Sequence, residues 1–65
     1  MTWAQEQRLL WIKESVEIFG RINRAHVMQK FRVSENQAAI DFRITLKKYP
    51  KLMEYNTSTK QYEKL

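Results

Sequence analysis

The stretch Asn23–Tyr49, NRAHVMQKFRVSENQAAIDFRITLKKY, governs how the rest of the chain is read, because it holds two helix patterns separated by a short corner. In the first pattern Ala25, Val27, Met28 and Phe31 recur at helical spacing behind Asn23, whose side-chain carbonyl is suited to accept from the free N–H groups of a first turn. The second opens at Ser34. Its hydroxyl is expected to accept from the Gln37 N–H while the Gln37 side chain returns a hydrogen bond to the Ser34 N–H, a reciprocal capping box, with Val33 and Ala38 as a hydrophobic staple around it. This helix runs from Glu35 to about Tyr49 and stops before Pro50, because a proline ring disfavours helical backbone in the residue ahead of it. The corner Phe31-Arg32-Val33-Ser34 calls for a residue at positive φ, where Arg32 in place of glycine costs about 1 kcal/mol.

On the second of these helices Ala38, Phe42, Thr45, Leu46 and Tyr49 form the stripe expected to be buried. Asn36, Gln37, Ala39, Ile40, Arg43 and Lys47 face away, with Lys48 at the edge and Asp41, the only aspartate of the chain, among them. The expected role of Asp41 is structural, accepting from nearby Arg or Lys side chains, since a carboxylate pressed against anions would be repelled.

Working outward, the N-terminal segment reads as a helix from about Thr2 to Phe19, ended by Gly20, the only glycine, where a left-handed cap is wanted. Leu9, Ile12, Val16 and Phe19 share one face, enough to cover the other two helices. Trp3, Leu10, Trp11 and Ile18 gather on a second stripe with Gln7 and Glu14 between them, so this helix has more apolar surface than one small core requires. A second copy of the chain, a further domain, or the C-terminal segment are the three covers available. Aromatic residues are favoured interface anchors, so Trp3, Gln7, Leu10, Trp11, Glu14 and Ile18 are read as a homodimer interface. Arg21-Ile22 is a short extended piece with Ile22 turned inward. Beyond Pro50, Leu52–Asn56 and Gln61–Leu65 are strand-like runs around a polar tip, Thr57-Ser58-Thr59-Lys60, with Tyr55 and Tyr62 as a cross-strand aromatic pair. The expectation is a single domain, residues 1–65, of α+β class and mainly α: three helices followed by a C-terminal β-hairpin.

Composition narrows the function. Twelve Lys and Arg against seven Asp and Glu give 65 residues a formal net charge of +5, which points to an anionic partner. Without cysteine, and with His26 as the only histidine, neither a metal site nor a Cys nucleophile is expected, and with no glycine-rich phosphate loop the reading assigns no catalytic residue and no cofactor. The N-terminus MTWAQEQR lacks a basic region followed by an apolar run, and no stretch is long enough to span a bilayer. A cytoplasmic, nucleoid-associated protein with no membrane partner is therefore expected.

Helix, tight corner and capped helix, followed by a hairpin, is the layout of a winged helix-turn-helix. A helix set in the major groove of double-stranded DNA needs amides for adenine edges, small or apolar groups for thymine methyls, and cations at its flanks for phosphates. Asn36 and Gln37 supply amides, Ala39 and Ile40 methyls, and Arg43 a guanidinium for guanine or phosphate. Lys47, Lys48 and Lys51, with Arg24 on the preceding helix, Arg32 at the corner and Lys60 at the hairpin tip, are placed to neutralise the backbone. Gln37 serves equally well as a cap partner alone, and Lys47 and Lys48 as an ordinary solvated face.

The run Gly20-Arg21-Ile22-Asn23-Arg24, followed by Val27-Met28, Phe31, Val33-Ser34, Gln37-Ala38 and Asp41-Phe42, then Pro50, Leu52, Tyr55-Asn56, Lys60 and Tyr62, resembles the N-terminal winged-helix domain of WYL-domain transcriptional regulators. These are DeoR-like DNA-binding modules of bacteria and their phages. The resemblance covers essentially the whole chain. It implies that Ser34 opens the recognition helix, that Glu35, Asn36, Gln37, Ala39, Ile40 and Arg43 face DNA, and that Thr57, Ser58 and Lys60 lie along the backbone. It further implies homodimers on inverted repeats, with an effector-sensing domain following the winged helix. Arg32 departs from the pattern, standing where glycine is common. The alternative reading is a protein-interaction module in which the fold is scaffold and the Trp3/Leu10/Trp11/Ile18 surface does the binding.

Overall fold

The computed structural model describes residues 2–65. Its elements follow in the order α1 (Trp3–Phe19), β1 (Arg21–Ile22), α2 (Arg24–Phe31), α3 (Glu35–Lys48), β2 (Met53–Asn56) and β3 (Gln61–Lys64). Each helix begins at a side chain able to replace a missing backbone partner. The Thr2 hydroxyl accepts from the Gln5 N–H, the Asn23 carbonyl from His26, and the Ser34 hydroxyl from Gln37 at 3.1 Å. Gly20 ends α1 at φ 80°, its N–H donating to the Val16 carbonyl. A Cβ there would meet nothing within 4 Å, so backbone conformation, not space, is why glycine stands at this position.

The reciprocal capping box forms at α2 and not at α3. Asn23 and His26 exchange hydrogen bonds, the Asn23 N–H donating to His26 Nδ1 at 3.3 Å, whereas the Gln37 side chain turns away from Ser34 toward Asp41. His26, the only histidine, thereby acquires a local structural role.

Ile12 and Val16 of α1, Ile22 of β1, Val27 of α2, Ala38 and Phe42 of α3, and Met53 of β2 make the buried core, with Trp11, Met28, Phe31, Val33, Leu46, Leu52 and Tyr62 packed around it. Three expectations about burial change. Phe19 is 74% exposed, since the chain leaves α1 at Gly20 and Ile22 takes the inward position instead. Ala25 is exposed. Trp11 is only half exposed, because Phe31 at the end of α2 packs edge-on against it, ring centres 5.4 Å apart.

β1 joins the hairpin to make a three-stranded antiparallel sheet of order β1-β3-β2, with Ile22 opposite Tyr62 and Tyr62 opposite Tyr55. Tyr62 stacks flat on Phe42, ring centres 4.2 Å apart and planes 2° from parallel, and so fixes the hairpin against α3. Among the described residues no helix is long and apolar enough to cross a membrane.

Candidate nucleic-acid interface

The α2–α3 corner positions the site. Arg32 lies at φ 54°, ψ 46°, the left-handed conformation the corner demands, and its side chain stands in solvent. From Ser34 onward α3 presents Asn36, Ile40, Arg43 and Lys47, spaced four, three and four residues apart, as one exposed stripe. Ala38, Asp41, Phe42 and Thr45 hold the opposite face in the core. Ala39 is half-buried at one edge of the stripe and Gln37 at the other, while Glu35 and Lys48 are exposed at the two ends. The last turn carries Lys47 and Lys48, cations that also suit the negative end of the helix dipole.

Asp41 does not belong to the outer face. It is 0% exposed and receives the Arg8 Nε at 2.6 Å, with Gln37 Nε2 at 3.0 Å and Gln5 Nε2 at 3.4 Å. The expected Arg contact exists, yet it lies inside, between α1 and α3. A buried carboxylate without partners would be severely penalised; here one charge and two amides compensate it. The same bond takes one N–H of the Gln37 amide. It leaves the carbonyl oxygen and the second N–H without a partner among the described residues and sets Gln37 apart from Asn36, whose side chain makes no hydrogen bond there.

At the other edge, Arg24 Nη1 reaches Glu35 Oε1 at 3.4 Å, linking the first turns of α2 and α3 in an exposed, weak ion pair. Burial raises the Tyr62 hydroxyl above its ordinary pKa of 10.0; the charges of Arg24 and Arg43 oppose this, and Tyr55 adds to it. The charges of Arg24, on α2, and Arg43, on α3, are thus both felt at the Tyr62 hydroxyl. The tip, Thr57 to Lys60, is exposed and built by its neighbours. Asn56 Oδ1 accepts from the N–H groups of Ser58 and Thr59, Glu63 accepts from Asn56 Nδ2 and the Thr59 hydroxyl, and Lys60 closes the turn at φ 57°. The structuring roles of Gln5, Arg8, Asn56 and Glu63 went unread in the sequence. For Asn56 the signal was available, since Asn two residues ahead of a turn N–H is a common turn former.

Three helices, a left-handed corner before a capped and outward-facing third helix, and a hairpin seated beside it define a winged helix-turn-helix domain. Residues 4–64 match the family described as "BrxR transcriptional regulator winged helix-turn-helix domain", and the chain belongs to that family. Two curated relatives described as "DNA-binding transcriptional repressor CapW", from Escherichia coli (strain KTE188) and from Escherichia coli, are each 35% identical over 60 residues. The match covers 92% of this chain and 20% of either relative, so the chain spans about one fifth of their length. The resemblance to the winged-helix domain of a transcriptional regulator, read from the sequence, agrees with this membership.

Proposed function

We propose that this domain binds double-stranded DNA sequence-specifically and is the reading head of a bacterial or phage transcriptional repressor, with α3 in the major groove. The observation that carries the reading is the exposed stripe Asn36, Ile40, Arg43 and Lys47, which no part of the wing covers. A net charge of +5, the family and the description of the CapW relatives support it. Asn36 offers a bidentate amide to adenine, Ile40 and Ala39 offer apolar contact to a thymine methyl, and Arg43 reaches guanine or a phosphate. Arg24, Arg32, Ser34, Lys47, Lys48, Thr57, Ser58 and Lys60 serve the phosphates, which position the protein without reading sequence. Glu35 and Gln37 flank the reading face, Gln37 with its amide oriented by Asp41. The protein acts as a homodimer on inverted repeats and works where the genome is, in the cytoplasm.

Selection of bound duplexes from a random library, followed by binding titrations at several salt concentrations, tests this. The expected outcome is a palindromic site and an affinity whose log–log dependence on salt has a slope of about −0.9 per phosphate neutralised. Failure to retain any duplex in dilute buffer contradicts it. That failure favours the second reading, a protein-interaction module, which the exposure of Trp3 at 73% and Ile18 at 71% supports.

A further inference from the structure

Gln37 stands in the first turn of α3, at the end of a recognition helix that meets base edges, and its side-chain amide has one orientation open to it. An amide ends in a donor and an acceptor of nearly equal size, so what it faces decides which way it points. Gln37 Nε2 faces Asp41 Oδ1 at 3.0 Å. The other carboxylate oxygen, Oδ2, takes the Arg8 Nε at 2.6 Å, while Arg8 Nη2 and Gln5 Nε2 reach Oδ1 at 3.4 Å. A carboxylate paired with a guanidinium offers acceptors only, so the nitrogen of Gln37 lies against it and the carbonyl oxygen is the end left over. That oxygen has no hydrogen-bond partner among the described residues. No side-chain nitrogen or oxygen there is both buried and unpartnered, so Gln37 Oε1 is open to solvent. Asn36, whose side chain holds nothing, can present either end of its amide, and Gln37 cannot.

In the major groove the exocyclic amino groups of adenine and cytosine donate, whereas guanine O6 and thymine O4 accept. An outward carbonyl oxygen accepts from the first two and is repelled by the second two. We propose that Asp41, held by Arg8, sets the base preference of Gln37. The buried carboxylate keeps the amide with its oxygen toward the groove, so that α3 selects adenine or cytosine over guanine or thymine at the position Gln37 meets. Asp41 is 0% exposed and acts only through Gln37, which makes it a positioning residue. The proposal rests on the DNA reading above and deepens it.

Selection from a random duplex library with the wild type, Gln37→Met and Asp41→Asn tests it, with circular dichroism confirming that each is folded. The wild type should favour adenine or cytosine at one position of the site by at least about fivefold. Gln37→Met keeps the length of the side chain without its amide, and should lose that preference while the other positions hold theirs. In Asp41→Asn the charged Arg8 keeps the side-chain oxygen, which turns the new amino group toward Gln37. Gln37 then has to reverse, and the same position should change to guanine or thymine. A carboxylate that only supports the helix predicts instead an equal loss of affinity for every sequence. Such a uniform loss, or an unchanged preference in either variant, overturns the proposal and leaves the DNA reading standing. A wild type that retains no duplex removes both. If Asp41→Asn does not fold, Gln37→Met and hydrogen exchange of the wild-type side-chain amides decide. One Gln37 amide proton should exchange more slowly than those of exposed Gln29, and equal rates overturn the proposal.

Discussion

α1 and α3 are both amphipathic helices packed on one core, and their outer faces are opposites. The outer stripe of α3 combines an amide, two cations and one aliphatic side chain, while the outer face of α1 combines Trp3, Leu10 and Ile18 with three glutamates. The difference separates two kinds of dehydration. A polyanion docks on a surface whose cations release its counterions, whereas a protein docks where apolar area is already poorly hydrated. Asp41, reached by Arg8 from one helix and Gln37 from the other, is the charged link between the two.

The largest expected effect comes from cutting that link. Arg8→Ala leaves Asp41 buried beside two amides without its charge partner and should cost about 3 to 5 kcal/mol in urea denaturation. That is a large part of the stability available to a domain this small. An unchanged midpoint would mean that α1 and α3 are held together by their apolar contacts alone.

Next, Asn36→Ala should lower discrimination between the preferred duplex and a single-base variant by about 1 to 3 kcal/mol. Gln37→Ala should lower stability more than Asn36→Ala does, because it removes a donor from buried Asp41. Equal effects of the two substitutions on both measurements would erase the distinction between the stripe and its edge.

These two neighbours also mark what a sequence discloses. The helix ends were legible because their causes are local: Ser34, Asn23, Gly20 and Pro50 act within a few residues of themselves. The outer stripe followed from helical periodicity in the same way. Asp41 was misplaced on the outer face although helical spacing sets it between Ala38 and Thr45 on the inner one; what the sequence did not show was that Gln5 and Arg8, more than thirty residues away, would make its burial tolerable. Spacing put Asp41 with the buried residues of α3, but its charge argued for the outside, and the partners that decide between the two come from another helix. Phe19 and Trp11 exchanged roles for a similar reason: the path of the chain through Gly20 and the reach of Phe31 decide which aromatic is covered.

Arg32→Gly should raise stability by up to about 1 kcal/mol, relieving the left-handed strain, while it lowers affinity for every duplex alike if the guanidinium meets a phosphate. A gain in stability with unaltered affinity would detach the corner from the binding face. The smallest effect concerns Tyr62. With its pKa raised in the folded protein above 10.0, the folded state keeps the proton longer than the unfolded chain. Stability is therefore complete below pH 10 and falls as pH climbs through the folded value; thermal melts of the wild type and Tyr62→Phe should diverge there. Parallel curves would show that the hydroxyl is as well solvated as in the unfolded chain.

The strand order β1-β3-β2 carries a consequence for how the domain comes into being. The last of the three strands in chain order, β3, occupies the middle of the sheet, and the Lys64 N–H donates to the Gly20 carbonyl at 2.9 Å across most of the domain. Until that segment arrives, the two outer strands have nothing to pair with and Phe42 has no lid. Assembly of the wing is consequently a single closing event on a preformed helical base, and loss of β3 would cost all three strands at once.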